Sequence, residues 1–181
     1  MKNITLICLV ALGINVNAQI FIGEKCSIKF FSETKMENID AENKATKPVF
    51  NAKDGHFVVQ IQQTAFVFKS AFMQEHYNEN YVESEKYPTA KFDGFVAEKI
   101  DYTKDGTYNV SIAGKLSMHG VELPRTITGT IVIKGGVITM DSKFDIKVAD
   151  YKIKVPSLYV EKIAESVQVT FHTEMIVFKK Q

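Results

Sequence analysis

The chain has no tryptophan, a single arginine, four prolines and two cysteines among its 181 residues. Basic residues (22) balance acidic ones (21), for a formal net charge of +1. No basic surplus is there to hold nucleic acid, and no acidic tail to steer a cationic partner. Sparse proline, with no low-complexity segment and no repeat of fixed period, argues against linkers and solenoid arrays. No Gly-x-Ser-x-Gly elbow, P-loop or dinucleotide fingerprint is present. The four histidines are scattered, and none, His76 beside Glu75 included, shows metal-ligand spacing. Catalysis therefore has no candidate constellation, and no metal or cofactor is implied.

What the chain does have begins with a leader. Lys2 is followed by an apolar run from Ile4 to Ile14, and Val16-Asn17-Ala18 offers small or branched residues where signal peptidase reads. Cleavage after Ala18 is expected, leaving residues 19–181 as one domain with a periplasmic or secreted destination. The run is shorter than the roughly 20 residues of a membrane span. Cys8 departs with the leader, so Cys26 remains alone and no internal disulfide can form. A lone thiol is either a reactive group or a small buried hydrophobe, and the second reading is preferred.

Alternation with a period of two dominates the rest. Tyr108, Val110, Ile112, Gly114, Leu116 and Met118 point one way, with polar or small residues between them. The pattern returns at Ile127, Gly129, Ile131 and Ile133, and again from Ile138 through Met140, Ser142, Phe144 and Ile146 to Val148. Successive strand side chains face opposite sides, so these are one-sided strands. Similar stretches occupy Ile28–Ser32, His56–Gln62, Ala90–Val96 and Ser166–Val177, while the polar Asn38–Ala45 reads as a second strand or a strand edge. Asp54-Gly55, Lys104-Asp105-Gly106 and Lys134-Gly135-Gly136 supply turns. His119 to Arg125 reads as a longer connection or bulged corner. Phe72, Met73, His76, Tyr77 and Tyr81 approximate helical spacing, a short insertion that ends before Pro88. Asp150 to Ser157 reads as irregular or a helical turn stopped by Pro156. The class is all-β: about eight antiparallel strands, a helical insertion, and a dry face that must be covered. A closed barrel of that size is either filled by side chains or able to hold one small ligand.

Three stretches carry a resemblance. Glu75-His76-Tyr77-Asn78-Glu79-Asn80-Tyr81 leads into Glu85-Lys86-Tyr87-Pro88-Thr89-Ala90-Lys91-Phe92. Gly114-Lys115-Leu116-Ser117-Met118-His119-Gly120-Val121 and Asp150-Tyr151 follow at matching intervals. In this order they resemble the YceI-like family, over about Gln19 to Lys179. The resemblance implies an extended, eight-stranded lipocalin-like antiparallel barrel outside the cytoplasm that binds polyisoprenoid chains such as a prenylated quinone or prenyl phosphate. The polar stretch Asn38–Ala45 departs from the family pattern, and the Gly-x-Trp signature of true lipocalins is missing.

The candidate site follows from both lines. The inward set is Phe57, Val59, Ile61, Phe92, Val110, Ile112, Leu116, Met118, Ile131, Ile138, Met140, Phe144, Ile146, Val167, Val169 and Phe171. It forms either a solid core or the wall of a ligand cavity, and the resemblance points to the wall. Gly94, Gly114, Gly129 and Ser142 leave room for a lumen or mark bends. Phe66, Phe68, Phe72 and Met73 plug the helix onto the barrel or line its mouth. Arg125 is a headgroup clamp or a solvated loop residue. His119 hydrogen-bonds a quinone or phosphate, or holds the corner. The partner expected is an apolar lipid. A transient membrane-surface contact and a homodimer stay open, as do a filled barrel that works through its outer surface and, ranked last, a lipid-modifying enzyme.

Overall fold

Side chains that alternate between water and core can satisfy both only in extended backbone, and most of the chain is strand. The computed structural model describes residues 19–155 and 163–179. The leader and the stop at Pro156 and Ser157 lie outside the described residues. The strands are β1 (Ile20–Glu33), β2 (Asn38–Asn43), β3 (Val49–Asn51), β4 (His56–Gln62), β5 (Val67–Phe68), β6 (Thr89–Val96), β7 (Gly106–Met118), β8 (Val121–Lys134), β9 (Val137–Lys147) and β10 (Ser166–Val177). One short helix, α1 (Ala71–His76), runs into a π-helical turn, Tyr77–Tyr81, where the Val82 amide donates to the Tyr77 carbonyl at 3.0 Å.

Around the ring the order is β1-β3-β4-β6-β7-β8-β9-β10, and β10 pairs back onto β1, so the barrel is closed. Every pairing is antiparallel, as short connections require. β1 is long enough to serve two neighbours on one side. Its start pairs with β3 and its end with β2, which carries β5 as an outer strand. The crossover from β2 to β3 is held by buried Asn43. Its amide donates to the Gln62 carbonyl at 3.1 Å, and its Oδ1 accepts from the Ala45 amide at 2.9 Å and from Thr46.

Three expectations are corrected. Residues 119–125 are no long connection: His119 and Gly120 alone form the turn, with φ of 51° and 72°, and β8 starts at Val121. Positive φ at both central residues defines the two-residue hairpin turn whose twist matches the strands. Pro124 is tolerated inside β8 because it faces Lys115 at a non-hydrogen-bonded position, counting from the turn; its missing N–H points away from β7. Second, no tight turn at Lys104-Asp105-Gly106 joins β6 to β7. Residues 97–105 form a loop, and Gly106 opens the strand. Third, Gly94 and Gly114 do not open a lumen. They face each other across β6 and β7, where a Cβ on Gly114 would lie 2.3 Å from the Asp93 carbonyl oxygen. They let two backbones approach where the wall curves.

The barrel has two unlike ends. At one, here the floor, β1 begins, β8 turns into β9, and the 97–105 loop tucks beneath. Phe21, Phe50, Ile133, Ile138 and Met175 are buried there, with Tyr102 edge-on to Phe50 at 5.0 Å. At the other, the mouth, lie α1, the His119-Gly120 hairpin and the 3-10 turn Val148–Tyr151.

Candidate ligand-binding cavity

Above the floor the inward side chains leave a space between them, although Phe57 on β4 and Phe171 on β10 meet edge-on at 5.9 Å. They enclose a cavity of about 350 Å³, within the roughly 300–1,000 Å³ range of small-molecule sites. Of the residues proposed from sequence, Phe57, Val59, Ile61, Phe92, Val110, Ile112, Leu116, Met118, Ile131, Met140, Phe144, Ile146, Val167, Val169 and Phe171 line it from the strands. Phe66, Phe68, Phe72 and Met73 line it from the mouth. Gly129 and Ser142 lie on its wall as well.

Three candidates fall elsewhere. Ile138 is fully buried but belongs to the floor, one level below the cavity. His119 is a bracket. One ring nitrogen lies 2.7 Å from the Glu83 carboxylate and the other 3.0 Å from the Tyr151 carbonyl, and Tyr87 packs on the ring at 4.6 Å. It ties the hairpin to the residues after α1 and to the turn after β9, a structural task at the rim. Arg125 does not line the cavity. It is no loop residue either: it reaches from β8 to donate to the Asp145 carbonyl on β9, with its guanidinium 5.5 Å from the Phe144 ring centre.

The mouth is built around aromatic rings. Phe30, Phe66, Phe68 and Tyr77 form one cluster, with the Phe30 and Tyr77 rings stacked at 5.5 Å and the Phe68 ring tilted against Tyr77 at 5.0 Å. Such pairs add about 0.5–1.5 kcal/mol each beyond area burial. The cluster both fastens the helical insertion and lines the cavity, so the two roles considered for Phe66 and Phe68 coincide. Phe72 differs. It lines the cavity yet is 63 % exposed, which locates the opening beside α1.

The walls are apolar with a few placed polar groups. The Tyr77 hydroxyl donates to Gln63 Oε1 at 2.7 Å, and burial pushes the phenol well above its ordinary pKa, so it stays protonated and a donor. Ser32 Oγ accepts from the Ala164 amide at 2.9 Å and anchors the segment before β10. Among the described residues no group of three or more His, Cys, Asp or Glu is placed to hold a metal ion.

The reading from sequence omitted several wall residues. Ile28 and Phe30 alternate within β1 and carried the same signal as the chosen set. Tyr77 and Tyr81 share the helical spacing of Met73. Gln63, Val82 and Ile153 had no local signal, since they face the cavity from turns and coil that only the tertiary fold positions.

No curated protein sequence matches the chain significantly. Solved structures with the same fold include a polyisoprenoid binding domain from Saccharophagus degradans, at 14 % identity over 87 % of this chain and 98 % of that one, with a TM-score of 0.75. BcnA of Burkholderia cenocepacia is 20 % identical over 82 % of this chain and 95 % of its own, with a TM-score of 0.67. The YceI protein of Campylobacter jejuni is 17 % identical over 99 % and 100 %, with a TM-score of 0.58. These likenesses are of fold. The family model for the YceI-like domain matches residues 19–175, nearly the whole described barrel, and the chain therefore belongs to the YceI-like family.

Proposed function

We propose that this protein is an exported carrier that holds one long apolar molecule, a polyisoprenoid or prenylated quinone-like lipid, within the barrel without transforming it. The observation that carries the reading is the apolar cavity above the floor of a closed barrel, open beside Phe72. The Saccharophagus degradans domain of the same fold, described as polyisoprenoid binding, supports the ligand class. Export rests on the leader in residues 1–18.

Each buried methylene is worth about 0.8 kcal/mol relative to water. Several isoprene units thus offset an association cost of roughly 4–15 kcal/mol. Against a bilayer, where the chain is already dry, that gain vanishes, and cavity shape and polar contacts must select the guest.

Mass spectrometry of organic extracts from purified protein tests the reading. A co-purifying lipid with a long branched or unsaturated chain is expected. Extracts free of lipid, together with no uptake of a prenyl alcohol from solution, would leave a barrel working through its outer surface.

A further inference from the structure

Apolar residues alternate along most of the strands, but at one level they run on without a break. Ile20-Phe21-Ile22, Val49-Phe50, Phe57-Val58-Val59 and Met175-Ile176-Val177-Phe178 are continuous apolar runs. Alternation dries one face of a strand; a continuous run reads as a strand covered on both. Phe21, Phe50, Phe57 and Met175 account for the inner face, where they are buried. Their neighbours point outward. The pairing sets those neighbours side by side. Ile176 lies opposite Ile22, Ile22 opposite Val49, and Val49 opposite Val58, across the adjacent strands β10, β1, β3 and β4. Ile20 is the next outward residue of β1, and the Phe178 amide donates to its carbonyl at 2.7 Å. Val49, Ile176 and Phe178 are 42, 38 and 52 % exposed.

Higher on the same strands the outer wall turns polar. Lys25 pairs with Glu174 at 2.8 Å, Ser27 bonds Glu42 at 2.6 Å, and His172 meets Asp141 at 2.7 Å. Single aliphatic residues on an outer face are ordinary, because β-branched side chains suit strands. Six that adjoin over four strands make a patch, and contiguous apolar patches mark interaction surfaces. The charges around it balance. Lys25, Lys47, Lys53, Lys91 and Lys179 stand at its margins with Glu24, Asp54, Asp93 and Glu174; Asp93 lies opposite Val58 and is held by Lys91 and His56, each at 2.7 Å. A nucleic acid, an anionic membrane or a strongly charged protein finds no single sign to match. An apolar band inside a rim of mixed charge is complementary to itself, as a twofold contact between identical chains requires.

We infer that this band is the interface of a homodimer, two copies packed outer wall to outer wall at the level of the floor. Four strands about 4.8 Å apart, carrying two rows of side chains, give an apolar core of roughly 300 Å² per copy. A standard stable interface takes about 800 Å² from each partner. The mixed rim supplies the remainder, so the dimer is weak and reversible. The opening beside Phe72 lies at the other end of the barrel, and both cavities stay accessible in the pair. The inference does not depend on what the cavity holds.

Sedimentation equilibrium of the chain cleaved after Ala18 tests it. A monomer–dimer equilibrium with a dissociation constant of roughly 10–100 µM is expected for so small an apolar core. Raising salt from about 0.05 to 0.5 M should leave it unchanged or slightly tighter, since the core is apolar and the rim balanced. Val49→Lys and Ile176→Glu should each weaken association by about tenfold or more, because every copy then brings a charge into the contact. Val49→Thr nearly keeps the shape, stays folded whatever the charged variants do, and should weaken it about threefold. Val67→Lys alters an exposed valine on β5, outside the band, and should leave association as it was. Thermal unfolding of each variant separates lost association from lost fold. A monomer up to about 0.5 mM, well above the expected dissociation constant, overturns the inference. So does a dimer that the band substitutions leave intact, one that Val67→Lys disrupts as strongly, or one that dissociates at high salt.

Discussion

At the floor, Phe21, Phe50, Ile138 and Met175 meet with at most 2 % of their surface exposed. One level up, Phe57, Val59, Phe92 and Phe171 are also inward and apolar, yet they border an empty space. The strands are the same and so is the alternation. The floor is filled because a loop adds Ile100 and Tyr102 from below, and because β3, β8 and β9 bring bulky residues to one level. The upper half receives no such addition. There β1 exchanges β3 for β2, β8 leaves β9, and the rings of α1 and its flanks stay at the rim. Inward apolar patterning specifies that a side chain is dry, not that it touches another across the barrel.

The largest expected difference between the halves is in truncation. Phe50→Ala should destabilise the fold by about 3–5 kcal/mol in urea unfolding, since it opens a new void in a packed level. Phe92→Ala should cost less, below about 2 kcal/mol, because one side of that ring already faces a void. Equal costs would mean that the upper half is packed after all. Enlargement should reverse the order. Val96→Phe at the floor is expected to cost about 1–3 kcal/mol through overpacking. Val110→Phe in the cavity wall should cost less while abolishing uptake of an apolar probe, as read by a displacement assay.

The hollow half compensates with polar ties, and His119 is the test. His119→Ala should lose about 1–3 kcal/mol, with hydrogen exchange accelerating first at residues 82–87 and 148–152 and the floor unaffected. A uniform loss of protection across both halves would show that the rim is no separate unit.

The smallest effect concerns Cys26, which is buried and faces Thr173 across the β1–β10 ladder. Burial pushes its thiol up to about 11, against about 8.5 in an unfolded chain. The folded state therefore keeps its proton longer. This contribution to stability is complete below pH about 8.5 and declines as pH rises toward 11. Cys26→Ser should flatten that alkaline decline in thermal unfolding, and the native thiol should resist maleimide near neutral pH until the protein unfolds.

Much of this fold was legible residue by residue. His56–Gln62 and Ser166–Val177 are strands with the bounds that alternation suggests, and the helical spacing after Phe72 is α1 with its π turn. Alternation failed where local chemistry misled. Pro124 hid the first half of β8, although at an unpaired edge its missing N–H costs nothing. The Lys104-Asp105-Gly106 turn signal concealed a loop that reaches under the barrel. At the site, the wall residues on strands were visible because burial itself leaves a period of two. For His119 the corner-holding alternative was legible but not its partners, and for Arg125 neither alternative was right, because Glu83, Tyr151 and Asp145 are distant in sequence.

Which segments extend, which face of each is dry, and where the hairpins turn all follow from the chain read in short windows, because backbone geometry and solvation act between near neighbours. Whether the dry faces meet, where the wall parts, and which of two similar cationic or aromatic residues faces the void depend on the register of eight strands closed into one ring. That register is a sum of contacts between residues far apart along the chain, and it appears only once the barrel is assembled.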